Sequence, residues 1–426
     1  MKIKHIGLLG LGTVGSGVAR IIRDHQEKIQ KQFGFSVQVD KVLVRDPKKI
    51  PEEFRGSFTV VSDYREIMED PAIDLVVEVM GGIDFAKECL EAAFFNHKPV
   101  VTANKDLIAA YGKDLTRQAE EAGVSLRYEA STAGGIPILR ALRESLAGDK
   151  LESVTGILNG TTNFILTKMT QEGADYAEVL KEAQALGFAE ADPTSDVDGL
   201  DALRKVVILC KIAFGADVPM AKIPVQGIRE VTPQDIQLAK DWGLVMKLLG
   251  RIQTSEQGEI FAEVAPFLVA KGHPLSQVDH EMNSIYTQGK ASGTLMFYGA
   301  GAGEFPTASA VLGDLLTICQ ELEQGVRPVA FARYEQELAW MSEDEVQARH
   351  FFHLAMAKDS QSLTPLLDQL GIHLEKSLVV PHDSKEGWTD FVGITELISY
   401  AQRQEFMARV EACDQLVLRS VYGLMD

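Results

Sequence analysis

Residues 3–9 (IKHIGLL) form a mostly apolar run that stops at Gly10. A glycine-rich turn follows, then a helical stretch from Ser16 to about Gln32. Residues 37–44 (VQVDKVLV) alternate, as a strand does. Residues 74–80 read as a buried strand closed by Gly81-Gly82, 84–96 as a helix, 98–102 as a strand, 105–122 as a helix and 124–130 as a strand. Strands alternating with helices at this spacing predict an α/β fold, a doubly wound parallel sheet covered on both faces.

The pattern changes at Gly134-Gly135-Ile136-Pro137. A helix (138–147), a strand (151–158), a long helical run (161–186) and a polar turn from Glu190 to Asp196 lead into a helix from about Gly199 to Phe214. Residues 294–318 hold a glycine-rich turn and a helix, and 323–345 are charged and helical or linker-like. The rest reads as strand 350–357, helix 361–370, strand 372–380, strand 389–396, helix 397–413 and strand 415–422. That is the βαββαβ order of a ferredoxin-like unit. The expected domains are therefore a parallel-sheet domain (1–135), an α+β domain (136–320) whose last helix returns to the first, a linker (321–345) and a ferredoxin-like domain (346–426).

A chain of 426 residues is too long for one core, in keeping with several domains. Its 42 basic and 61 acidic residues give a net charge of −19, which argues against general nucleic-acid binding but not against a locally positive cleft. Cys89, Cys210, Cys319 and Cys413 lie far apart with no CxxC pair, so reduced thiols are expected rather than a disulfide framework or a zinc site. Glycines interrupt the N-terminal apolar run too soon for a signal peptide, and no stretch approaches a membrane span. A cytoplasmic protein is expected.

Gly10, Gly12 and Gly15 fit G-x-G-x-x-G between a strand and a helix. The first glycine permits the tight turn, the second a close approach to a pyrophosphate, and the third close packing of helix on strand. The helix start, Thr13 and Val14, would offer N–H groups and the positive end of the helix dipole to the phosphates. The first domain is thus read as a Rossmann-type dinucleotide-binding domain. At the end of the second strand, Val44-Arg45-Asp46 chooses the cofactor. Arg45, with Lys48 and Lys49 beyond it, favours the 2′-phosphate of NADP; Asp46 keeps NAD open. Arg45 also reads as an ordinary solvated loop charge.

Several segments together resemble homoserine dehydrogenase over roughly residues 6–320. They are Gly10-Leu-Gly-Thr-Val-Gly15, Asp74-Leu-Val-Val-Glu-Val-Met-Gly-Gly82, Val101-Thr-Ala-Asn-Lys105, Gly156-Ile-Leu-Asn-Gly-Thr-Thr-Asn163, Gly187-Phe-Ala-Glu-Ala-Asp-Pro193, and Asp196-Val-Asp-Gly-Leu-Asp201 through Lys205. The resemblance implies a Rossmann domain and a substrate and dimerisation domain, forming homodimers or homotetramers. It also implies reversible NAD(P)-dependent interconversion of L-aspartate 4-semialdehyde and L-homoserine, on the route to threonine, methionine and isoleucine. Glu190, Asp196 and Asp201 supply the negative charge that a substrate ammonium needs. Asp201 and Lys205, at i and i+4, share a helix face, a spacing equally that of a plain surface ion pair. The resemblance assigns Lys205 as the acid/base residue, Lys105 to nicotinamide and substrate, and Glu190 to the substrate amino group. Asn159 and Asn163 are read as satisfying backbone groups in a turn.

Two further sites rest on resemblance alone. Glu129, Thr132, Gly134 and Ile136 match the family's loop whose main-chain carbonyls bind sodium, a hard cation suited to oxygen. Gly303, in Gly299-Ala-Gly-Ala-Gly303, matches a late loop returning to the cofactor. The tail resembles an ACT domain, for which threonine is the expected effector. Lys358-Asp359-Ser360-Gln361 stands where that family has Asp-Arg-Pro-Gly, which weakens the ligand loop. A purely oligomerising tail is the plainer reading. Competing functions are an aspartate-dehydrogenase-like reductase and a non-catalytic dinucleotide and amino-acid sensor. One strand alone precedes the glycine loop, so no fused aspartate kinase is expected.

Overall fold

The computed structural model describes residues 2–326, 328–332, 338–358, 360–381 and 387–426. Asp359 of the tail loop, and residues 327 and 333–337 of the segment read as a linker, lie outside them. The chain divides into two compact units, each assembled from three separated segments.

The first unit comprises Met1–Leu151, Arg204–Met220 and Gly289–Glu337. Its sheet contains β1 (Lys2–Leu9), β2 (Phe35–Leu43), β3 (Thr59–Val61), β4 (Leu75–Glu78), β5 (Val100–Thr102) and β6 (Leu126–Arg127). The strands are all parallel, in the order β3-β2-β1-β4-β5-β6. Helices α1 (Thr13–Asp24), α2 (Gln26–Phe33), α3 (Arg65–Met68), α4 (Asp84–Phe95) and α5 (Lys105–Ala122) connect them. This is the Rossmann order, and its reversal between β1 and β4 opens a crevice at the carboxyl ends of those strands.

The helix expected from Ser16 to Gln32 is broken at His25, whose backbone leaves helical geometry at φ −111°. The break lets Ile29 of α2 rejoin the core of Ile6, Leu8, Val37, Leu75 and Val77. The helix Glu304–Gln324 packs on α1 and adds Val311, Leu315 and Ile318 to that core, each contributing about 1.5–3 kcal/mol. Gly17 makes the close approach possible: a Cβ there would meet Glu304 Cγ at 2.8 Å.

The second unit comprises Glu152–Leu203, Ala221–Gln288 and Leu338–Asp426. Its middle strands are Leu151–Ile157, Leu244–Thr254, Ile260–Ala270 and Met282–Gly289. The run expected as one helix over 161–186 is two, Gly160–Glu172 and Tyr176–Ala185. Gly173 ends the first in the left-handed region, and the Asp175 carboxylate accepts the Ala177 N–H to start the second.

In the tail, strands His350–Ala357, Leu374–Pro381, Trp388–Thr395 and Leu416–Met425 form an antiparallel ferredoxin-like sheet in the order 4-1-3-2. Helices Leu363–Leu370 and Tyr400–Glu411 close its core through Leu367, Phe406 and Val410. The last strand also pairs in parallel with the middle sheet, Gly423–Met425 beside Phe267–Val269. One continuous sheet thus joins the tail to the middle strands.

Candidate active site

In the first unit, β1 delivers the glycine turn to the crevice. Gly10 has φ +99°, which only glycine adopts readily, and its N–H donates to Leu43 O at 3.0 Å. A Cβ on Gly15 would clash with Gly10 O, so α1 seats against the turn. A Cβ on Gly12 would meet nothing within 4 Å. No side chain caps α1, which begins at Thr13 and Val14. That open cradle at an uncapped helix start fits a dinucleotide pyrophosphate.

Arg45 is exposed just beyond β2. Asp46 caps the turn Pro47–Lys49, its Oδ1 accepting the Lys48 N–H at 3.0 Å. Part of its acceptor capacity therefore serves the loop.

The crevice floor is a buried network that the sequence did not reveal. Glu78 ends β4 and is fully buried, and burial pushes its carboxyl up despite the hydrogen bonds it accepts. It accepts from Met80 N at 2.7 Å and from the Thr102 hydroxyl at 2.6 Å. Thr102 Oγ1 accepts the Asn104 N–H, and Asn104 Nδ2 donates to Gly82 O at 2.6 Å. Asn104 Oδ1 caps α5 by accepting the Leu107 N–H at 3.1 Å. Lys105, the first residue of α5, is therefore held half-buried at the carboxyl end of β5.

Lys205 is 8% exposed and lies on the helix Leu200–Phe214. The part of that helix in the first unit packs on the start of α5. Arg204 Nε pairs with Asp106 Oδ1 at 2.5 Å, and Lys211 Nζ donates to Ala109 O at 2.9 Å. The neighbours of Lys105 and Lys205 are thus joined directly.

In the second unit, Asn159 caps the helix Gly160–Glu172, its Oδ1 accepting the Thr162 N–H at 2.8 Å. Its Nδ2 donates to Asp196 Oδ1 at 2.7 Å and Asp201 Oδ2 at 2.9 Å. Asp201 is 5% exposed and Asp196 half-buried. The structure brings these two acids together, whereas Glu190 is exposed and takes no part in the bridge. Asn159 therefore does more than satisfy a turn; Asn163 does bond backbone, donating to Val278 O and Met282 O, and also accepts from Lys247 Nζ.

The Glu129–Ile136 segment bends through Ala133 and Gly134, both at positive φ. A Cβ on Gly134 would lie 2.5 Å from the Gly301 carbonyl. The Glu129 carboxylate accepts N–H groups of Leu139 (2.8 Å) and Arg140 (2.7 Å), and burial followed by the Asp314 charge pushes it up to about 7. Thr132 Oγ1 is buried without a hydrogen-bond partner among the described residues. The Ile136 carbonyl accepts the Ile138 N–H at 2.8 Å. No group of three or more His, Cys, Asp or Glu side chains among the described residues could hold a metal. Gly303, at φ +118°, precedes the helix Glu304–Gln324 and is exposed.

Residues 10–129 match the homoserine dehydrogenase NAD-binding domain, and residues 137–316 match the homoserine dehydrogenase domain. The chain is 43% identical to homoserine dehydrogenase of Bacillus subtilis over 96% of its own length and 94% of the relative's. The chain belongs to the homoserine dehydrogenase family. It superposes on a homoserine dehydrogenase from Thiobacillus denitrificans with TM-score 0.93 and 35% identity, covering 100% of this chain and 99% of the other. A hyperthermophilic archaeal homoserine dehydrogenase in complex with NADPH matches with TM-score 0.64 and 28% identity over 75% of this chain and 98% of its own. Family membership makes the chain an NAD(P)-dependent oxidoreductase acting on a CH–OH group, with a nicotinamide dinucleotide as its cofactor. Among the described residues no helix is long and apolar enough to cross a membrane.

Proposed function

We propose that this chain interconverts L-homoserine and L-aspartate 4-semialdehyde, with Lys205 as proton donor and acceptor at the substrate oxygen and Lys105 assisting. The observation that carries this reading is the Arg204–Asp106 ion pair, which joins the segments bearing the two lysines. The turn of Gly10, Gly12 and Gly15 would hold the nicotinamide cofactor, which would supply the hydride chemistry when bound. Lys205, nearly buried, holds or gives up the proton that balances the hydride, the work of a general acid or base. Asp196 and Asp201 face the substrate ammonium, and Glu190 is the third acid of that set.

NADP is the favoured cofactor, because Arg45 is free of burial and Asp46 is partly spent on its own loop. Gly303 serves the nicotinamide side. The bend through Glu129, Thr132, Gly134 and Ile136 would hold sodium through main-chain carbonyls, and the unpartnered Thr132 hydroxyl supports that fit. The ferredoxin-like order of the tail supports an ACT role with threonine as effector. A homodimer or homotetramer in the cytoplasm completes the reading.

The test is a spectrophotometric assay with NADPH and aspartate semialdehyde. Loss of the nicotinamide absorbance is expected; a flat trace over a range of substrate concentrations overturns the proposal.

A further inference from the structure

We infer that Asn159 is a positioning residue for the reaction, holding Asp196 and Asp201 together through one amide nitrogen; this rests on the reading of those acids as the ammonium site. Asn159 Nδ2 has two hydrogens, and the two carboxylate oxygens lie 2.7 and 2.9 Å from it. Each acid therefore receives one hydrogen. The amide is held in this orientation, because Oδ1 on its other side accepts the Thr162 N–H (2.8 Å). A flipped amide would set oxygen against two carboxylates and NH2 against the Thr162 N–H.

Capping alone does not require asparagine, since Ser and Asp cap a helix about equally well. Only asparagine offers a cap acceptor and two donors from one short side chain. The chemistry explains the need. Two carboxylates gathered on one amide repel, and removing a hydrogen that each accepts raises the pH at which one takes up a proton. A neutral acid attracts a substrate ammonium less and shifts the charge one helical turn from Lys205. Asn159 is itself 5% exposed, so water does not readily replace its amide.

The test uses Asn159→Ser and Asn159→Asp, which both retain a capping oxygen, in the full-length chain. Homoserine turnover is measured across pH beside the parent, with NADPH affinity and the thermal midpoint as controls. The expected result is NADPH affinity close to the parent's in both variants and, for Asn159→Ser, a thermal midpoint close to the parent's. At neutral pH kcat/KM for homoserine should fall by about tenfold or more, carried mainly by KM, with the acidic limb displaced upward by about one unit. Asn159→Asp, which adds a third carboxyl, should show the larger displacement. An unmoved pH profile with kcat/KM within about twofold in both variants overturns the inference. A parent that binds NADPH but never turns over homoserine overturns instead the functional reading beneath it.

Discussion

Arg204 Nε lies 2.5 Å from Asp106 Oδ1, and each residue adjoins one of the two lysines assigned to proton transfer. The pair is a quarter to a third exposed, so its contribution to stability is under about 1 kcal/mol. Its importance is registry: it sets the start of α5 against the helix that carries Lys205.

Asp106→Asn should therefore leave the thermal midpoint within about 3 °C of the parent. It should lower kcat by about tenfold or more, since small misplacements of catalytic groups are costly. Steady-state kinetics beside differential scanning calorimetry measures both. Unchanged kcat would show that the ion pair is incidental.

Gly12 and Gly15 should respond differently to the same substitution. Gly12→Ala enters open space at an ordinary φ of −77°, so the fold should survive while the added methyl obstructs the dinucleotide. Gly15→Ala clashes with Gly10 O and should cost about 1–3 kcal/mol of stability. Chemical denaturation paired with NADPH titration separates the two; equal destabilisation by both would contradict the cradle geometry.

Much of this was legible in the sequence, for identifiable reasons. The caps Asn104 and Gly123 bound α5 at Lys105–Ala122, as its pattern predicts. Strand His350–Ala357 likewise matches its expected bounds. The break at His25 was not legible, because both halves carry helical patterns and a tertiary demand on Ile29 decides it. The strand Gly293–Ala300 was missed within a segment read as a glycine-rich turn. The roles of Glu78, the bridge from Asn159 to two acids and the Arg204–Asp106 pair escaped for a different reason. Their partners lie far along the chain, and no local period records a contact such as Asn159 with Asp201.

Arg45 gives the cofactor prediction. If its guanidinium meets a 2′-phosphate, Arg45→Gln should raise KM for NADPH by about tenfold and leave KM for NADH nearly unchanged, as loss of one charged hydrogen bond implies. Parallel kinetics with the two cofactors decides it. An equal effect on both would return Arg45 to the role of a solvated loop charge.

His350 supplies a pH prediction for the second unit. Burial first, then the nearby Arg403 and Arg251 charges, lower its pKa to about 3. The unfolded chain binds a proton near pH 6.5 that the folded chain refuses, so stability should fall as pH drops from about 6.5 towards 3. Replacing His350 with Gln should flatten that part of the stability profile. An unchanged slope in the variant, measured by urea denaturation at several pH values, would assign the loss to other groups.

Lys205→Ala offers the sharpest discrimination, with turnover and NADPH affinity measured on the same preparation. Turnover should fall by about 10³-fold or more, while the dissociation constant for NADPH stays within about threefold of the parent. Turnover within about tenfold of the parent, or parallel loss of turnover and cofactor binding, would show that Lys205 does not move the proton.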